Sequence, residues 1–139
     1  MSVNLFIASA GYGSRLRPVT DLYPKPLLPI AGQKLIDRMI DRVCIDLDIN
    51  EIAINVHYKK ESFEQWGLGK GYQFFEEEEL LGTGGALWNA ARFFQKQTSL
   101  LINGDVLTDF DWQGMLKEHR ESGNLVTLAV QDREHERRV

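Results

Sequence analysis

Val3-Asn4-Leu5-Phe6-Ile7-Ala8-Ser9-Ala10-Gly11-Tyr12-Gly13-Ser14-Arg15 carries an apolar run of strand length directly into a glycine pair and a fixed cation. The run Val3 to Ala8 predicts a buried strand, because continuous apolar stretches this short suit a sheet covered on both faces. A chain leaving such a strand through Gly11 and Gly13 exposes backbone N–H groups in a turn that fits phosphate oxygens. Downstream, Pro18, Pro24, Pro26 and Pro29 stiffen the connection, and Lys25 adds a second cation to Arg15. The segment from Gly11 to Pro29 therefore reads as a triphosphate clamp.

Working outward, further strand-like runs lie at Glu51 to His57, Tyr72 to Phe75, Ser99 to Asn103 and Leu125 to Val130, with helical or loop segments between them. That alternation predicts an α/β fold with a mostly parallel sheet. One helix places Ile36, Met39, Ile40, Val43 and Leu47 on a single side, another runs from about Thr83 to Phe94, and a third starts at Asp111 as N-cap. Ligands of open parallel sheets sit beyond the carboxyl ends of the strands, where strand order reverses. If the first and fourth strands are neighbours, Asn103-Gly104-Asp105 comes to stand opposite the glycine turn.

Composition excludes several classes. The chain has 139 residues, 43% hydrophobic and 26% charged, enough to bury the core of one globular domain. A formal net charge of −4 leaves no polycationic footprint, so nucleic acid is not expected as a partner. Cys44 is the single cysteine; its apolar neighbours predict a buried thiol, and neither a disulfide framework nor a cysteine metal site is available. No segment has the apolar length of a membrane span and the N-terminus has no leader pattern, which leads us to expect a cytoplasmic protein.

Two common phosphate motifs do not fit. Leu16 stands where a dinucleotide fingerprint has its third glycine, the second strand ends Asn55-Val56-His57 without an acid, and no Gly-Lys-Ser or Gly-Lys-Thr follows the glycines. Instead, Ala10-Gly11-Tyr12-Gly13-Ser14-Arg15-Leu16-Arg17-Pro18-Val19-Thr20 with Pro24-Lys25-Pro26-Leu27-Leu28-Pro29 resembles the signature of sugar-1-phosphate nucleotidylyltransferases. Glu79-Leu80-Leu81-Gly82-Thr83-Gly84-Gly85-Ala86-Leu87 resembles that family's nucleoside-binding loop, and Leu101-Ile102-Asn103-Gly104-Asp105-Val106-Leu107 its metal-binding strand end. The wording is nearest the branch of mannose-1-phosphate guanylyltransferases and N-acetylmuramate-1-phosphate uridylyltransferases.

The resemblance implies a Rossmann-like three-layer sandwich. It implies transfer of a nucleoside monophosphate from a triphosphate to a sugar 1-phosphate, with GTP and a mannose-like sugar favoured. Arg15 and Lys25 become catalytic candidates, Asp105 a ligand of Mg²⁺, and Ala10, Gly11, Gly13, Glu77, Gly82, Gly84, Gly85 and Asn103 nucleotide-binding candidates. Within the acidic run Glu76 to Glu79, the register of the base contact stays open. Arg17 is open between phosphate and surface pairing, His57 reads as packing or support, and Trp66, Trp88 and Trp112 read as core. Family members continue into a half that holds the sugar phosphate, so residues 1–139 read as a nucleotide-binding domain truncated relative to the family. The alternatives are a non-catalytic nucleotide-binding regulatory or assembly module and a purely structural piece. Self-association is left open.

Overall fold

In the computed structural model, which describes residues 2–95 and 97–130, the chain forms two compact units divided after Thr108. The first unit is built on four parallel strands: β1 (Val3–Ala8), β4 (Ile49–Val56), β5 (Gln73–Glu76) and β6 (Ser99–Asn103), in the order β5-β4-β1-β6. Between β1 and β4 lie a two-residue hairpin, β2 (Pro29–Ile30) and β3 (Gln33–Lys34), and helix α1 (Leu35–Asp46). Helix α2 (Lys60–Gly67) follows β4, and α3 (Gly82–Asn89) and α4 (Ala91–Phe94) lead into β6.

The sheet steps outward from β1 to β4 to β5, then returns to β6 on the far side of β1. Right-handed crossovers put the outward and return connections on opposite faces, giving a three-layer α/β sandwich. Helices α1 and α2 share one layer: Trp66 Nε1 and, just beyond α2, Lys70 Nζ both donate to Asp37 Oδ1 of α1, at 3.0 and 2.8 Å. On the other face Phe6, Ala53, Phe75, Ala90 and Phe93 form an apolar cluster with Phe94 against it. The ring of Phe6 lies 5.0 to 6.2 Å from those of Phe75, Phe93 and Phe94. With both faces covered, β1 is buried along nearly its whole length, as its run of apolar residues interrupted by Asn4 alone requires.

Register aligns the strand ends. Ala8 of β1 stands beside Asn55 of β4 and Asn103 of β6, and Asn55 beside Phe75 of β5. All four strands thus deliver their carboxyl ends to one edge, and the reversal of order falls between β1 and β6.

In the second unit, α5 (Trp112–Ser122) is capped as its sequence predicts: the Asp111 carboxylate accepts from Gly114 N at 2.9 Å, and Gly123 closes the helix at φ 65°. Four expectations are corrected. Residues 125–130 form no strand, because no described neighbour supplies their hydrogen bonds, and Leu125, Val126, Leu128 and Val130 are 70 to 99% exposed. Cys44 is exposed, since α1 turns it off the stripe of Ile36, Met39, Ile40 and Val43. Trp88 is also exposed: Ala86 and Ala90 take the inward side of the α3 turn and leave Trp88 on the outer one. Trp66 is half-buried and Trp112 buried. The expected single helix from Thr83 to Phe94 breaks at Ala90 into α3 and α4. The mixed-charge segment 131–139, with His135, lies outside the described residues.

Candidate functional site

The turn after β1 is held open by its glycines. Gly13 adopts φ 64°, and a Cβ there would sit 3.0 Å from Thr20 Cγ2 and 3.2 Å from Lys25 Cβ. Thr20, fully buried, donates its hydroxyl to Gly13 O at 3.0 Å, and Tyr58 OH donates to Thr20 O at 2.9 Å. Braced in this way, the turn passes into a single 3₁₀ turn, Ser14–Leu16. Among the described residues, the N–H groups of Gly11 to Arg15 meet no protein acceptor. Unpaired amides converging on a glycine turn suit an anion.

Lys25 opens another 3₁₀ turn, Lys25–Leu27, immediately after Pro24. Its Nζ lies 2.5 Å from Asp105 Oδ2, both side chains being about one-third exposed. Asp105 is carried there by Gly104, whose N–H donates to Ala8 O at 2.9 Å. Gly104 is buried so closely that a Cβ would overlap Ser9 Oγ and come within 3.1 Å of Ile7 Cγ2. The adjacency of β1 and β6, expected from topology, therefore brings Asp105 to the glycine turn. Arg15 has no ion-pair partner among the described residues, whereas Arg17 pairs with Asp21 at 3.2 Å on the surface.

The acidic run sorts itself by side. Glu77 N donates to Val56 O at 2.9 Å, so the ladder runs one residue past β5 and places Glu77 on the inward side with Phe75. Glu77 is 5% exposed; its Oε1 accepts from Asn55 Nδ2 at 2.6 Å and its Oε2 from Leu81 N at 3.1 Å. Glu76 faces outward to Lys60 at 2.7 Å, and Glu78 and Glu79 are exposed.

These parts surround one cleft of about 540 Å³, within the usual range for small-molecule sites. Ala10, Gly11, Gly13, Arg15, Lys25, Glu77, Gly82, Asn103 and Asp105 all line it. Gly84 and Gly85 do not: they lie inside α3, behind the rim. Gly85 instead leaves room for Leu81, whose Cβ would stand 2.5 Å from a Cβ at that position, while Gly84 faces open space.

The sequence reading missed Asn55, buried at 4% exposure, and gave no role to the cleft-lining Ser9, Leu80, Thr83 and Leu101. The available signal for Asn55 was an amide side chain inside the apolar strand run Ile52 to Val56. For a metal, the cleft offers the Asp105 carboxylate and the Asn103 carboxamide. Among the described residues no group of three or more His, Cys, Asp or Glu forms a cage. That donor set fits Mg²⁺, which keeps waters and binds through one or two carboxylates together with phosphate oxygens. No helix among the described residues is long and apolar enough to cross a membrane.

Known proteins resemble the chain in sequence and in fold. The family model described as nucleotidyl transferase matches residues 5–138. A mannose-1-phosphate guanylyltransferase from Mycobacterium tuberculosis is 35% identical over 133 residues, covering 92% of this chain and 37% of that protein. The bifunctional protein GlmU of Methanocaldococcus jannaschii is 36% identical, covering 83% of this chain and 28% of that protein. The crystal structure of HddC from Yersinia pseudotuberculosis complexed with GMP-PN superimposes with a TM-score of 0.73 at 25% identity, covering 84% of this chain and 54% of that one. The chain thus spans about a third of the length of these curated relatives.

Proposed function

From the chain's membership of the nucleotidyl transferase family, we propose that its cleft binds a Mg²⁺–nucleoside triphosphate as donor for transfer of the nucleoside monophosphate to a sugar 1-phosphate. GTP and a mannose-like sugar are the favoured pair, a reading supported by the guanylyltransferase relative and by the GMP-PN complex of the structural neighbour. The observation that carries the proposal is the convergence of free turn amides, Arg15, Lys25 and Asp105 on one side of a cleft whose other side is the Glu77 to Gly82 loop.

The chemistry asks little of a protein base. A phosphate oxygen of the sugar 1-phosphate, already anionic, forms a bond to the α-phosphorus in line. The bond from that phosphorus to the bridging oxygen breaks, and pyrophosphate departs with the electron pair. Positioning and charge neutralisation are therefore the main requirements. The amides of Gly11 to Arg15 hold the phosphate chain, and Arg15 stabilises the charge that collects on the pyrophosphate. Lys25 lies where it can meet the α-phosphate or the incoming sugar phosphate, and Asp105 and Asn103 would hold the metal. When bound, Mg²⁺ would supply Lewis-acid charge neutralisation at the phosphates.

The test is to incubate the chain with Mg²⁺, each of GTP, UTP, CTP and dTTP, and a panel of sugar 1-phosphates, measuring nucleotide affinity and pyrophosphate release. The expected result is tightest binding of GTP and pyrophosphate release with mannose 1-phosphate. Binding without release assigns this chain the donor half alone. Absence of binding by all four triphosphates overturns the proposal.

A further inference from the structure

Two side chains at the end of β4 reach both rims of the cleft. Asn55 accepts from Ser9 N in the phosphate turn at 2.7 Å and donates to Glu77 Oε1 at 2.6 Å, while Glu77 Oε2 holds Leu81 N at the opposite rim. His57 makes a second bridge between the same parts. Its Nδ1 lies 2.8 Å from Glu77 O, which can only accept, so Nδ1 carries the proton. In the neutral ring Nε2 is then the acceptor, and Tyr12 OH donates to it at 3.0 Å. Tyr12 sits between the two glycines of the turn, and its ring also packs edge-on against His57 and Tyr58.

Asn55 and Glu77 are nearly buried, where hydrogen bonds are strong and unpaired groups costly. The turn and the opposite loop otherwise belong to different strands, β1 and β5, which do not pair with each other. β4 lies between them, and its last residues are the only part of that strand in a position to span the gap.

We infer that Asn55 and His57 form a strut that couples the phosphate turn to the Glu77–Gly82 loop, so that filling one side of the cleft orders the other. They are positioning residues: Asn55 works through Ser9 N and Glu77, and His57 through Tyr12 and the Glu77 carbonyl. The inference rests on the nucleotide reading above and adds that triphosphate and nucleoside contacts reinforce each other within the site. Coupling of this kind needs no change of shape, only that ordering one group lowers the cost of ordering the next.

The probe is inorganic tripolyphosphate, which has no base. Amide hydrogen exchange is followed on the full chain with and without it, alongside calorimetric affinities for tripolyphosphate and GTP. In the wild type, tripolyphosphate is expected to protect the Gly11–Arg15 amides and also to slow exchange at Leu81 and Gly82 by about fivefold or more, the lower end of usual coupling. Asn55→Ala should reduce the remote protection at least twofold while leaving that of the turn, because the bridge through Tyr12 and His57 remains. Because Asn55 is buried, Tyr12→Phe provides a milder variant, removing one hydroxyl from an exposed ring; it should reduce the remote protection at least twofold. Protection of the turn with no wild-type change at Leu81 or Gly82 overturns the strut. So does remote protection that survives undiminished in the Asn55→Ala, Tyr12→Phe double variant, which breaks both bridges. Failure of tripolyphosphate and GTP to bind at all overturns the nucleotide reading itself, and the strut with it.

Discussion

Lys25, Gly104 and Cys44 show how differently single side chains depend on their surroundings. Lys25 and Asp105 form a partly exposed pair, and such pairs contribute about 1 kcal/mol or less to stability. Lys25→Ala should therefore leave the urea midpoint nearly unchanged while weakening GTP binding by about ten- to hundredfold, as loss of a charged hydrogen bond to phosphate predicts; calorimetry and a denaturation curve check both halves. Gly104 behaves in the opposite way. Its backbone is not in the left-handed region, so Gly104→Ala costs nothing in conformation, but the added methyl meets Ser9 and Ile7. A loss of about 1–3 kcal/mol of unfolding free energy is expected, the usual effect of overpacking. Cys44 is exposed, yet partial desolvation and nearby Asp41 push its thiol above the ordinary cysteine range. A raised pKa means less thiolate at neutral pH, so iodoacetamide should label Cys44 more slowly than a free thiol at pH 7 to 8. The labelling rate should reach its half-maximum at a higher pH than that of a free thiol.

At the scale of elements, the hairpin of β2 and β3 turns through Ala31 and Gly32, with φ of 49° and 83°. Positive φ at both central residues is the requirement of a type I′ turn, for which Asn-Gly is the favoured pair. Alanine is strained there, and Arg38 helps to hold the turn by donating to Ile30 O and Ala31 O at 2.9 and 3.0 Å. Ala31→Asn should stabilise the chain by about 0.5–1 kcal/mol, seen as a higher melting temperature. The main strands were legible because each is a short apolar run. The ends were less so: β4 begins at Ile49, ahead of the predicted Glu51, because pairing with β1 extends to Val3. Glu77 was named as a candidate, but its acidic neighbours left the register open; the alternation from buried Phe75 through exposed Glu76 to buried Glu77 settles which acid turns inward. Leu125 to Val130 shows the reverse failure. Its pattern is that of a strand, but pattern sets only which side a residue would face, and strand formation needs a neighbour.

For the molecule as a whole, sheet order is what assembles the site. The glycine turn and Asp105 are far apart in sequence and meet because β6 pairs with β1 at the point of reversal. Motif content made that meeting predictable; the Asn55 and His57 bridges were not, since they depend on which side chains the register of three strands lines up. On the proposed function, the pair formed by Lys25 and Asp105 would also govern the order in which ligands arrive. In the empty cleft each charge neutralises the other, so a divalent cation must compete with an ammonium group for its carboxylate. On the proposed function, phosphates that draw Lys25 away would release Asp105 to the metal, and the cleft would act as a small ion exchanger. On the proposed function, Mn²⁺ alone should bind weakly, GTP should strengthen its binding, and Lys25→Ala should raise Mn²⁺ affinity in the absence of nucleotide, as read by electron paramagnetic resonance. At each step the incoming ion replaces the partner it removes, so the two acid and base side chains never face the cleft uncompensated.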